Sequence, residues 1–125
     1  MHLTPFTASG ARQVVESYGP QGFRISGAEH AGSILVFPDA AYPWTVAAMT
    51  DLTVDSVRPV LEHGGVEVLL FGCGRRMAPI PAAVRQALKE AGIGSDAMDT
   101  GAACRTYNVL VSEGRRVAAA LIRPV

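Results

Sequence analysis

Between positions 96 and 108 the chain reads Asp-Ala-Met-Asp-Thr-Gly-Ala-Ala-Cys-Arg-Thr-Tyr-Asn, its densest run of chemically capable side chains. The residues around it are mostly Ala, Val, Leu and Gly. Asp96 and Asp99 are spaced i, i+3 across a turn, and either Asp99 or Thr100 suits the N-cap of a following helix. On that helix Cys104 and Asn108 are i, i+4 and Arg105 and Asn108 are i, i+3, so the three fall on or beside one stripe. A thiol near a helix N-terminus with Arg105 beside it is a candidate for a depressed pKa. Nucleophilic catalysis also needs a base, however, and His2, His30 and His63 all lie elsewhere, so no catalytic residue is assigned. Arg105 stands in the first two turns, where the partially positive helix end disfavours a guanidinium. Asp99, Asp96 or an anionic ligand sharing the helix N-terminus would offset it.

A second segment, Gly72-Cys73-Gly74, follows the strongest strand pattern. Ligands of open α/β sheets favour the crevice beyond the carboxyl ends of parallel strands, and this loop should meet the 99–101 turn there. The candidate binding crevice therefore comprises Gly72, Cys73, Gly74, Asp99, Thr100, Cys104, Arg105 and Asn108. Gly-x-Gly is weak as a nucleotide signal, because the third glycine of a dinucleotide fingerprint would fall at Met77. No Gly-Lys-Ser/Thr phosphate loop occurs, and three scattered histidines offer no metal-ligand spacing. Neither a metal nor a cofactor is expected. Cys73 and Cys104 would form a redox pair if their segments met, and are otherwise small buried hydrophobes.

The elements that position these residues follow from periodicity. Residues 12–18 and 22–25 flank Gly19-Pro20 and predict a hairpin. Ser33 to Phe37 is a continuous apolar run, hence a buried strand, and Pro43 restricts the next strand to an edge or a start. Trp44 reads as a core or lid aromatic. A helix is expected over 53–63, capped by Asp55 and shortened by Pro59. Val66 to Phe71 reads as a central strand. Val84, Ala87, Leu88 and Ala91 recur at helical spacing after Pro81, and Gly92 ends that helix. A short strand over 95–98, a helix over 100–112 with Ala103, Tyr107, Leu110 and Val111 facing the core, and a last strand over 117–122 complete the order. Early strands followed by β-α-β-α-β predict a three-layer α/β domain whose sheet is parallel where helices cross over.

The 125 residues are read as a single domain, 1–125, with 1–10 loosely ordered. Eleven basic and eleven acidic side chains cancel, and Lys89 is the only lysine. Without a clustered basic surface, nucleic-acid binding is not expected, and Arg75-Arg76 and Arg115-Arg116 read as solvated pairs. The N-terminus lacks the pattern of a signal peptide, and no apolar run approaches a transmembrane length. Two cysteines give no disulfide framework, which with the rest predicts a cytoplasmic protein with reduced thiols.

The run from Asp99 to Leu110, followed by Glu113-Gly-Arg-Arg-Val-Ala-Ala-Ala-Leu, resembles the Mth-like domain family, long described as a domain of unknown function. Pro43-Trp44, Leu69-Leu-Phe-Gly-Cys-Gly and Ala91-Gly-Ile-Gly support the resemblance, which covers the chain from about Arg12 onward. It departs at Cys73, where Thr is common in the family. The resemblance implies a three-layer fold with a mixed, partly parallel central sheet, an N-terminal β-hairpin and two to three helices. Its eukaryotic relatives include an assembly factor for mitochondrial respiratory complex I, which implies a non-catalytic accessory protein with a protein partner. The residues themselves keep a second reading open, a small anion- or metabolite-binding domain, or weak enzyme, using the crevice around Gly72, Thr100 and Arg105.

Overall fold

The computed structural model describes residues 12–125; the expectation for 1–10 lies outside them. Among the described residues, eight strands form two sheets. β1 (Val15–Gly19), β2 (Gly22–Ile25) and β3 (Ala28–Ala31) make an antiparallel meander. β4 (Ser33–Phe37), β5 (Ala40–Trp44), β6 (Val68–Gly72), β7 (Gly94–Met98) and β8 (Val117–Leu121) make a mixed sheet in the order β5-β4-β8-β6-β7. β6 pairs in parallel with both β7 and β8, while β4 runs antiparallel to β5 and β8. The helices are α1 (Arg58–His63), α2 (Ala82–Glu90) and α3 (Thr100–Ser112).

Alternation along the buried strands builds the layers. Leu35, Phe37, Leu69, Phe71, Ala118 and Ala120 face one core with Val60 of α1 and Val84 and Leu88 of α2. Ile34, Val36, Leu70, Val117, Ala119 and Leu121 face the other, with Ala103, Tyr107 and Val111 of α3 and Phe23 and Ile25 of β2. The small sheet thus shares a layer with α3, and the three-layer α/β expectation holds. β8 is fully buried on both faces, as its unbroken apolar run requires. Pro43 sits on edge strand β5 opposite Ile34, where its missing N–H costs no ladder bond.

Three local expectations need correction. The hairpin is a three-stranded meander, because Ser26-Gly27, both at positive φ, turns the chain back into β3. The helix expected over 53–63 splits into a 3-10 turn at Asp55–Val57 and the short α1. Asp55 does not cap it: its carboxylate pairs with Arg58, and Thr53 and Ser56 instead exchange side-chain and backbone hydrogen bonds. Trp44 is in the core and donates its indole N–H to the Ser56 carbonyl at 2.8 Å, which ties this turn to the sheet. α2 and α3 both end in a glycine-based left-handed cap, with Ile93 and Arg115 donating to the Leu88 and Leu110 carbonyls.

Candidate functional site

The loop after β6 and the turn after β7 do meet, and they meet tightly. The Cys73 amide donates to the Met98 carbonyl, the Thr100 amide to Gly74, and the Ile122 amide to Gly72, all at 2.8–2.9 Å. Thr100 is fully buried. Its hydroxyl accepts from the Gly74 amide at 2.8 Å and donates to the Ile122 carbonyl at 2.6 Å. One hydroxyl therefore joins the ends of β6 and β8 to the start of α3, with its donor and one acceptor site spent. Gly72 is required here for space: a Cβ would lie 2.9 Å from Leu121 Cδ2 and 3.1 Å from Thr100 Oγ1.

Asp99 is the N-cap of α3, accepting from the Ala102 amide at 2.9 Å. Asp96 sits on edge strand β7 and accepts from the Ala97 amide, so the two aspartates are engaged separately. Asn108 was expected beside the crevice but faces β1. Its Oδ1 accepts from the Val15 amide at 2.9 Å and its Nδ2 donates to the Val15 carbonyl at 2.8 Å. The side-chain amide thereby acts as one more strand residue for β1. Tyr107, one residue earlier, is fully buried and donates its hydroxyl to the Gln13 carbonyl at 2.9 Å. α3 thus clamps the chain on either side of Val14.

The two cysteines lie on opposite faces of the large sheet, both as free thiols. Cys73 packs on the α1/α2 side and Cys104 on the α3 side. Burial pushes the Cys104 thiol up to about 12, more than Arg105 lowers it, so the depressed pKa considered for it does not occur. Burial likewise raises the Cys73 thiol, whose sulfur faces the Ala78 carbonyl at 3.5 Å. Arg105 stands apart on the outer face of α3, exposed and in none of the ion pairs among the described residues. Gly72, Cys73, Gly74, Asp99 and Thr100 are brought together; Cys104, Arg105 and Asn108 diverge around the helix. On the other side of the loop lies a depression of about 240 Å³ lined by Met49, Cys73, Gly74, Arg75, Ile122 and Arg123.

No histidine was expected in a site, yet His63 is held on three sides at the opposite end of the sheet. Its ring stacks on Phe37 at 4.0 Å and its nitrogens lie 2.9 Å from Asp39 Oδ1 and the Gly64 carbonyl. The Gly64-Gly65 pair after α1 was the available signal, but it reads as a helix end and nothing more. Among the described residues, no three of His, Cys, Asp and Glu are grouped to hold a metal ion.

Comparison with known proteins places this architecture. An uncharacterised protein of Rhodobacter capsulatus is 43% identical over 108 residues, covering 86% of this chain and 82% of that protein. NADH dehydrogenase [ubiquinone] 1 alpha subcomplex assembly factor 3 of Danio rerio is 40% identical over 117 residues, covering 93% of this chain and 67% of that protein. The human assembly factor of the same name is 35% identical, over 88% of this chain and 60% of that protein. Among solved structures, one from Bartonella henselae described as an outer membrane protein superposes with a TM-score of 0.86 at 38% identity, covering 93% of this chain and 98% of that one. The Mth938-like domain of Bordetella pertussis superposes with a TM-score of 0.79 at 28% identity, covering 98% and 92%. Residues 15–122 match the protein family of unknown function DUF498/DUF598, and the chain belongs to that family.

Proposed function

We propose that this chain is a non-catalytic accessory protein that works by protein–protein contact in assembling a respiratory membrane complex, acting from the cytoplasm as one domain. The observation that carries this reading is the 40% identity to an NADH dehydrogenase assembly factor across 93% of the chain. The geometry supports it. Thr100, Asp99, Asn108 and Tyr107 are engaged in joining backbone segments, and the buried Cys104 stays a neutral thiol. No helix among the described residues is long and apolar enough to cross a membrane. The test is to tag the chain in its native host, cross-link, and identify what co-purifies. Subunits of a respiratory NADH dehydrogenase are expected; recovery of the tagged chain alone would sink the reading.

One observation favours a second reading, an anion- or metabolite-binding site at the start of α3: Arg105 is exposed and joins no ion pair among the described residues. Against it stand the spent Thr100 hydroxyl and the lack of room at Gly72. Thermal unfolding of wild type and Arg105→Ala against anions and nucleotides separates the two. A ligand at a hundred times its dissociation constant adds roughly 2.7 kcal/mol, and that shift should vanish in Arg105→Ala only if the second reading holds.

A further inference from the structure

The end of the molecule away from the Gly72–Thr100 junction carries a cavity of about 320 Å³ between the close of α1, the close of α3 and the β4–β5 turn. Three arginines line it, Arg12, Arg115 and Arg116, together with His63, Asp39 and the Gly64-Gly65 backbone. On a chain with zero formal charge this is a local excess of cations. Which of them are already neutralised decides what the cavity can take. Asp39 lies 2.9 Å from His63 Nε2, whose ring stacks on Phe37, and its carboxylate stays on the cavity wall as one negative charge. Glu67, just outside, is bridged by Arg116 at 3.2 Å, and its carboxyl is held below its usual range by Arg116 first and Arg115 to a lesser degree. Arg12 and Arg115 join no ion pair among the described residues. Two guanidiniums thus remain without a bridging carboxylate beside one concave surface.

The helix ends argue in part the other way. α1 and α3 both finish here, and the partial negative charge of a helix C-terminus favours cations and disfavours anions. At α3 that effect is reduced, because the Gly114 and Arg115 amides donate to the last-turn carbonyls at 3.1 and 3.0 Å. α1 is only six residues long, so its aligned dipoles are few. Three guanidiniums against the Asp39 and Glu67 carboxylates leave an excess of one full positive charge, which outweighs these partial ones. The amides of Gly64, Gly65 and Val66 add donors, since none of them makes a backbone hydrogen bond among the described residues.

We propose that this cavity is a binding site for a small oxyanion, a carboxylate or phosphate group, held by the Arg12 and Arg115 guanidiniums and the Gly64–Val66 amides. Guanidinium geometry matches both oxyanions through paired N–H donors, so the shared chemistry is a planar or tetrahedral group with at least two charged oxygens. The site is distinct from the crevice at the start of α3, and it does not rest on the assembly reading.

Amide NMR titration of the wild-type chain with inorganic phosphate and, separately, with citrate, at constant ionic strength, tests it. Constant ionic strength removes the screening change that would mimic binding. Saturable shifts at Gly64, Gly65 and Gly114 are expected with at least one of the two, and the stronger arm identifies the phosphate or the carboxylate as the natural group. Arg115→Gln should weaken that binding roughly tenfold, equivalent to about 1.4 kcal/mol, and Arg12→Gln comparably, while Arg105→Ala leaves it unchanged. Shifts that stay linear with both anions, or an affinity in Arg115→Gln and Arg12→Gln identical to that of wild type, would overturn the proposal.

Discussion

At the scale of single residues, the stretch from Asp99 to Asn108 divides into groups that hold the fold and one that does not. Thr100→Val keeps the shape but leaves the buried Gly74 amide and Ile122 carbonyl unpaired, and should cost about 2–4 kcal/mol in denaturant unfolding. Thr100→Ser retains the hydroxyl and should recover most of that loss. Asn108→Ala releases both backbone groups of Val15 and should cost a similar amount. Arg105→Ala should change stability by no more than about 0.5 kcal/mol, as expected for an exposed side chain in no ion pair among the described residues. Cys104 adds a pH dependence. Its thiol is raised from 9.0 to about 12, so the folded state holds the proton longer than the unfolded chain does. Its contribution is therefore intact below pH 9 and is lost progressively as pH rises from 9 towards 12. Stability measured across that window should fall less steeply in Cys104→Ala than in wild type.

At the scale of elements, most of the order was legible because each helix and buried strand carries its own periodicity. Ser33 to Phe37 reads as a buried strand and 117–122 as the last strand; both are strands, the second ending at Leu121 and also buried. The start of α3 was placed correctly, because an Asp-Thr pair before an apolar-periodic run marks a helix N-terminus locally; which of Asp99 and Thr100 caps it was left open, and the structure has Asp99. What was not legible depended on distant partners. β3 has no apolar face of its own and exists through pairing with β2, so residues 28–31 gave no signal. Asn108 binds Val15, 93 positions away, and spacing on a helix cannot reveal which neighbouring segment a side chain will meet. The close approach at Gly72 was equally hidden, since a Gly-x-Gly loop reads as a turn whether or not a helix end lies against it. That approach predicts a specific loss. Gly72→Ala places a methyl 2.9 Å from Leu121 and 3.1 Å from Thr100, an overpacking expected to cost about 1–3 kcal/mol in thermal or denaturant unfolding.

At the scale of the whole molecule, the sheet's two ends have different characters. At one, backbone hydrogen bonds tie the ends of β6 and β8 to the start of α3 beside a shallow depression; the other holds a cavity lined by three arginines. The residues that looked most like an active centre in sequence are thus the joints of the fold, which fits a protein whose work is done at its surface. The central claim is assembly by contact, and its most direct test is a deletion strain in the native host, with respiratory complexes resolved on native gels and stained for NADH dehydrogenase activity. The account predicts loss of the fully assembled enzyme with accumulation of partial assemblies, restored by wild type and equally by Arg105→Ala. Normal amounts of assembled, active complex in the deletion strain would contradict it.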